Sequence, residues 1–106
     1  MKQGNHAELV MNKVLRAGQE LNESKYFCKV LRYDVKQECI YLVLEEDSLE
    51  EISLDIVYEC TVYTAEHKIV STGRIKERYN DENGHILKFE IENGFYKINV
   101  KSVDKY

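Results

Sequence analysis

Beyond Gly18 the apolar side chains fall on every second position. Tyr26, Cys28 and Val30 form one such set; Ile56, Tyr58, Cys60 and Val62 a second; Leu87, Phe89 and Ile91 a third; Tyr96, Ile98 and Val100 a fourth. A strand turns successive side chains to opposite faces, so this period predicts half-buried strands and argues against amphipathic helices, whose period is 3.6. Residues 39–44 read Cys-Ile-Tyr-Leu-Val-Leu without a polar break. Such a run fits a strand covered on both faces.

The punctuation between these segments is short. Residues 35–38 connect the 26–34 strand to the 39–45 strand as a hairpin. The acidic stretch 45–51 is an excursion between strands, and Ala65-Glu66-His67 is a turn. Residues 69–79 read as a long strand with Gly73 inside it, where a bulge or sharp bend is expected. Asn80-Asp81-Glu82-Asn83-Gly84 is the clearest turn, because Asn-Gly tolerates positive φ. A strand over 85–91, a second turn at Asn93-Gly94 and a last strand over 95–103 complete six strands. Their even spacing favours a small barrel or a sandwich over a βαβ sheet.

The N-terminus reads differently. Val10, Met11, Val14 and Ala17, with Leu15 beside them, make a helical stripe from 6 to about 17. Asn5 stands where a cap would, Glu8 completes a capping box, and Gly18 ends the helix. The expected organisation is one domain over 1–106, with a helix in 1–17 and a β-barrel in 18–106.

A chain of 106 residues, 43% hydrophobic and 32% charged, buries a core without metals or disulfides. The net charge of -4 argues against DNA or RNA, because phosphate binding draws on clustered cations. Cys28, Cys39 and Cys60 are odd in number and follow no secretory signal, so they are expected to be reduced and buried in a cytoplasmic protein. No apolar run is long enough for a membrane helix.

Catalytic motifs are missing. His6, His67 and His85 have no flanking Ser or Cys motif, and no glycine loop cradles a phosphate. The acidic 45–51 stretch lacks calcium-loop spacing, and the cysteines lack the close pairing of a zinc site. No cofactor or metal is expected. The best polar constellation is Arg74, Lys76 and Arg78, which a regular strand would turn to one face as a stripe for phosphate or carboxylate. Tyr96 and Lys97, beside Phe95, form an aromatic and basic run that could stack a ring. The alternatives are a solvated strand face for the cations and an inward ring for Tyr96.

From about Leu15 to Val100 the chain resembles the N-terminal, PilZ-like domain of the bacterial flagellar brake proteins. The matching features are Leu15-Arg16-Ala17-Gly18-Gln19, Tyr26-Phe27-Cys28-Lys29-Val30, Ile40-Tyr41-Leu42-Val43-Leu44, Tyr58-Glu59-Cys60-Thr61-Val62 and Phe95-Tyr96-Lys97-Ile98-Asn99-Val100. The resemblance implies a six-stranded split barrel. In that family a second PilZ barrel binds cyclic di-GMP through an R-x-x-x-R run and a D/N-x-S-x-x-G motif. At the corresponding junction this chain reads Glu92-Asn93-Gly94-Phe95-Tyr96-Lys97, with Lys97 its one cation, and no D/N-x-S-x-x-G follows. Arg74 and Arg78 satisfy R-x-x-x-R but lie in an earlier strand. The expected function is a non-catalytic module that binds another protein in cyclic-di-GMP-linked motility or surface signalling. The alternative is direct binding of a cyclic dinucleotide or other anion by Arg74, Lys76, Arg78, Tyr96 and Lys97. No membrane insertion is expected.

Overall fold

A computed structural model describes residues 1–11 and 25–99, with side chains as far as Gly94. Six antiparallel strands close into a barrel: β1 (His6–Met11), β2 (Lys25–Asp34), β3 (Cys39–Leu44), β4 (Val57–Tyr63), β5 (His67–Asp81) and β6 (Gly84–Asn99). Around the wall the order is β1-β2-β3-β6-β5-β4, with β4 returning to β1. The chain is mainly β, and the six-stranded barrel that the resemblance implied is the architecture observed.

Two strands differ from the expectation. Residues 6–11 form a strand, not the first turns of a helix. Ala7 and Leu9 are fully buried and Met11 packs beside them, while His6 and Glu8 face outwards. The alternation overrides the helical stripe because β1 closes the wall: it pairs with β2 on one side and β4 on the other. The remainder of the expected helix, 12–17, lies outside the described residues. At Asn93-Gly94 the chain does not turn. The segments expected as two strands, 85–91 and 95–103, are joined as far as Asn99 into the single strand β6. Register shifts between Val70, Thr72 and Gly73 of β5 absorb the extra residues as bulges, which bend a strand without ending it.

The other local signals hold. The 82–83 turn is followed by Gly84 at φ 118, and Glu38 closes the β2–β3 turn at φ 53. Gly73 lies against the backbone of β6. A Cβ there would stand 1.9 Å from the Glu90 carbonyl oxygen, so no other residue fits.

The interior is filled with side chains. Leu9, Cys28, Val30, Ile40, Leu42, Tyr58, Cys60, Val62, Ile75, Leu87 and Phe89 are among its buried members. As the unbroken apolar run predicted, β3 is covered on both faces. Ile40, Leu42 and Leu44 point inwards, while Cys39 and Tyr41 join Ile86, Leu31 and Val43 in a second cluster.

The strands differ in length, and the barrel is therefore staggered. β4 pairs with β5 only up to Arg74, so β5 overhangs at one end. β3 pairs with β6 only over 85–90, so β6 overhangs at the other.

Candidate functional site

The predicted basic stripe is not continuous. β5 carries one extra residue between Ile75 and Glu77, since Ile75 pairs with Phe89 and Glu77 with Lys88. This bulge at Lys76 reverses the alternation. Arg74 pairs with Glu90 on the outer wall, whereas Arg78 pairs with Leu87, an interior residue, and so takes the inner side of its strand. Each cation is also engaged within the chain. Arg74 Nε is 2.9 Å from Glu92 Oε2, and its Nη1 donates to the Asp55 carbonyl at 3.1 Å. Lys76 Nζ lies 3.7 Å from Glu90 Oε1. Tyr96 and Lys97 sit in β6 opposite Val70 and Ile69, at the end away from Arg78. The five residues are not gathered at one place.

Arg78 serves a different purpose. The overhang of β5 is capped by residues 45–56, which fold over that end of the barrel. Ser48 starts a short 3-10 helix, Leu49–Glu51: its hydroxyl accepts from the Glu50 N–H, and Glu51 accepts from the Ser48 N–H. Ile52 follows and drives its side chain into the core, where it is fully buried. Arg78 Nη1 donates to the Leu49 carbonyl at 2.8 Å and also to that of Ile52. The Leu49 carbonyl also accepts from the Ile52 N–H at 3.1 Å, so Arg78 braces the last turn of the short helix. The Tyr58 hydroxyl accepts from the Ser53 N–H at 3.0 Å, and burial pushes that phenol's pKa up. The acidic segment read as an excursion between strands is thus the start of a lid, held by two arginines.

Two polar clusters decorate the outer wall. On β1, His6 lies between the rings of Phe27 and Tyr63, with centroids 5.7 and 5.5 Å away. Beside it, Glu8 accepts from the Tyr63 hydroxyl at 3.1 Å and contacts His6 Nε2 at 3.2 Å and Lys25 Nζ at 3.4 Å. Partial burial works to raise the Glu8 pKa, but its contacts with His6, Tyr63 and Lys25 outweigh burial and hold it below the ordinary value. On β3, the Arg32 guanidinium covers the Tyr41 ring at 4.1 Å. Both clusters are flat and satisfied by their own neighbours. They tie strands together across the wall, as cross-strand pairs do.

Burial holds the three thiols towards their protonated form. Cys28, Cys39 and Cys60 are free and buried, as the sequence predicted. Burial raises all three and pushes Cys60 up to about 12, which withholds the thiolate that a nucleophile or a metal site needs. Among the described residues, no group of three or more His, Cys, Asp or Glu is placed to hold a metal ion. No helix among them is long and apolar enough to cross a membrane.

The opposite end of the barrel has a different character. After the Ile91 N–H donates to the Glu38 carbonyl at 2.9 Å, β6 leaves the β2–β3 hairpin and continues to Asn99. Over 92–99 its one neighbour among the described strands is β5. A cavity of about 260 Å³ opens beside it, lined by Tyr33, Val35, Glu38, Ile91 and Gly94. A second, of about 340 Å³, lies between the N-terminal residues Met1, Lys2 and Asn5 and the turn from Thr64 to Ile69. Val35 is 67% exposed at the rim of the first. Sequence reasoning reached this end through Tyr96 and Lys97 but passed over the cavity beside it. Its signals were an apolar Val35 in a turn that needs none, and a Gly94 in a stretch that otherwise reads as strand. No family model, no curated protein and no solved structure matches the chain.

Proposed function

We propose that this barrel is a non-catalytic accessory module that binds another protein, in cyclic-di-GMP-linked motility or surface signalling. The observation that carries the reading is the contrast between the barrel's ends. One is covered by residues 45–56, and at the other β6 runs past β3 with β5 as its one neighbour among the described strands, beside the Tyr33–Val35–Ile91 cavity. A filled interior leaves no room for a small ligand at the centre, so recognition falls to the outside of the barrel. An uncovered sheet edge is a common place for another chain to dock. The signalling setting comes from the likeness to flagellar brake domains in Tyr26-Phe27-Cys28-Lys29-Val30 and Phe95-Tyr96-Lys97-Ile98-Asn99-Val100.

The test is cross-linking in the cell that makes the protein, with a photoreactive residue at Val35 and a control at Glu59 on the outer wall of β4. The expected result is one protein captured from Val35 alone, which then forms a saturable complex with the barrel from purified components. No captured protein would overturn the reading. So would saturable calorimetric binding of a cyclic dinucleotide that disappears in Arg74→Ala and Arg78→Ala, the outcome expected of a direct anion binder.

A further inference from the structure

We propose that Asn83 is a site of spontaneous covalent modification, where the side-chain amide is lost to attack by the backbone nitrogen of Gly84, and that β6 protects Asn93 from the same reaction. The chain carries the tripeptide Glu-Asn-Gly twice, at 82–84 and at 92–94. The two are chemically matched at those positions, so a difference in their rates reports the fold around them. The reaction does not depend on what the barrel binds.

The chemistry needs only the chain and water. The Gly84 nitrogen attacks the side-chain carbonyl carbon of Asn83, a C–N bond closes a succinimide ring, and the amide nitrogen leaves as ammonia with the proton of the Gly84 N–H. Water then opens the ring at either carbonyl and leaves aspartate or isoaspartate. To bring the nitrogen to that carbon, the chain rotates about the Cα–C bond of the asparagine, which swings the rigid peptide plane that follows. Glycine suits the next position because it has no side chain to shield its nitrogen.

The fold permits that rotation at one tripeptide and resists it at the other. Residues 82–83 are the tip of the β5–β6 hairpin, and every residue from 76 to 85 is exposed. Gly84 holds a φ of 118 and pairs with Asp81 on the last rung of the ladder, where fraying costs least. The Asn83 N–H donates to Asp81 Oδ1 at 2.7 Å, which restrains that residue from its N-terminal side only. Asn93 is also exposed but is held differently. It pairs with Thr72 of β5, and the pairs Ile91–Gly73 and Tyr96–Val70 stand before and behind it. The bulge here bends the strand without releasing it. Asn93 Nδ2, the leaving group, donates to the Thr72 hydroxyl at 3.0 Å. Closing the ring at Asn93 would break this bond and the pairing beside it, which should slow the reaction about tenfold or more relative to Asn83.

The test holds the full, folded chain in mildly alkaline buffer and follows both tripeptides by peptide mapping and mass spectrometry, with isoaspartate identified by its own fragmentation. Conversion at Asn83 is expected to run about tenfold or more ahead of conversion at Asn93. In chain unfolded with guanidinium chloride the two should convert at similar rates. Asn83→Gln should abolish the early mass change and melt as the parent does, because the hairpin tip is exposed. The proposal is overturned if the folded chain converts both at one rate, if Asn93 converts first, or if Asn83 stays intact while the unfolded chain loses both. It is equally overturned if the difference persists in the unfolded chain, which would trace it to the flanking sequence and not to the fold, or if the early mass change survives in Asn83→Gln.

Discussion

At one end of the barrel β5 runs past β4, and at the other β6 runs past β3. Both overhangs come from the stagger that any closed sheet needs, and both take a strand beyond its neighbour on one side. The two are handled differently. The β5 overhang carries a bulge at Lys76, charged residues on its exposed stretch, and a lid whose carbonyls Arg78 holds. Bulges, charge and a covering loop are the usual defences of a sheet edge against unwanted pairing. The β6 overhang is bulged as well, opposite Val70–Gly73, but it lies beside an apolar cavity whose rim carries the exposed Val35 of the β2–β3 turn. The two ends thus differ in what covers them among the described residues: residues 45–56 lie over the β5 overhang, and only β5 and the β2–β3 turn flank the β6 overhang.

The largest expected effect comes from the residue that joins the two overhangs. Gly73→Ala would push a methyl group into the Glu90 carbonyl and separate β5 from β6, with a cost of roughly 3 kcal/mol. Urea unfolding should show it, and exchange should speed up at both ends. A loss confined to one end would mean that the overhangs are independent. Next is Arg78→Ala, which removes two charge-assisted bonds to the lid and should cost about 2 kcal/mol. Faster amide exchange should be confined to residues 45–56. If the lid stays protected, Ile52 alone holds it.

A smaller gain is expected at the open end. Glu38 holds a left-handed φ of 53, so Glu38→Gly should stabilise the chain by about 1 kcal/mol and raise its melting temperature. The bond from Ile91 to its carbonyl would be kept. The smallest effect belongs to the wall between the ends. Glu8 has a lowered folded pKa, so its contribution is present in full above the ordinary carboxyl range and is lost as pH falls through the folded value. The stability difference between the parent and Glu8→Gln should therefore shrink on acidification from pH 6 to pH 3. A constant difference would mean that the carboxylate's charge plays no part there.

Much of the wall was legible because its pattern is local. Alternation through Tyr58, Cys60 and Val62 names the inner face of β4 with no knowledge of its neighbours. The 39–44 run announced a strand covered twice, and Gly73 announced an irregularity in β5, which the structure shows as a register shift between Thr72 and Gly73. What stayed hidden depends on partners distant in sequence. Residues 6–11 carry both a helical stripe through Val10 and Val14 and a two-residue alternation through Ala7, Leu9 and Met11. Only the presence of β2 and β4 on either side decides between them. Asn93-Gly94 has the composition of a turn, yet β5 lies alongside and carries the strand through it as a bulge. The stripe of Arg74, Lys76 and Arg78 assumed unbroken alternation, and one extra residue undid it. The lid was unreadable for the same reason: nothing in the acidic stretch says that Ile52 will find an opening to plug.

The extra residue at Lys76 gives this hairpin slack at a single point. Pairing resumes in step immediately after it, with Glu77 opposite Lys88 and Arg78 opposite Leu87. Removing Lys76 would therefore straighten the wall yet leave every later side chain on its present side, whereas removing Tyr79 would turn its strand neighbours inside out. Tolerance to a lost residue should accordingly be concentrated at position 76, so a chain shortened there by one would still bring its arginine to the lid.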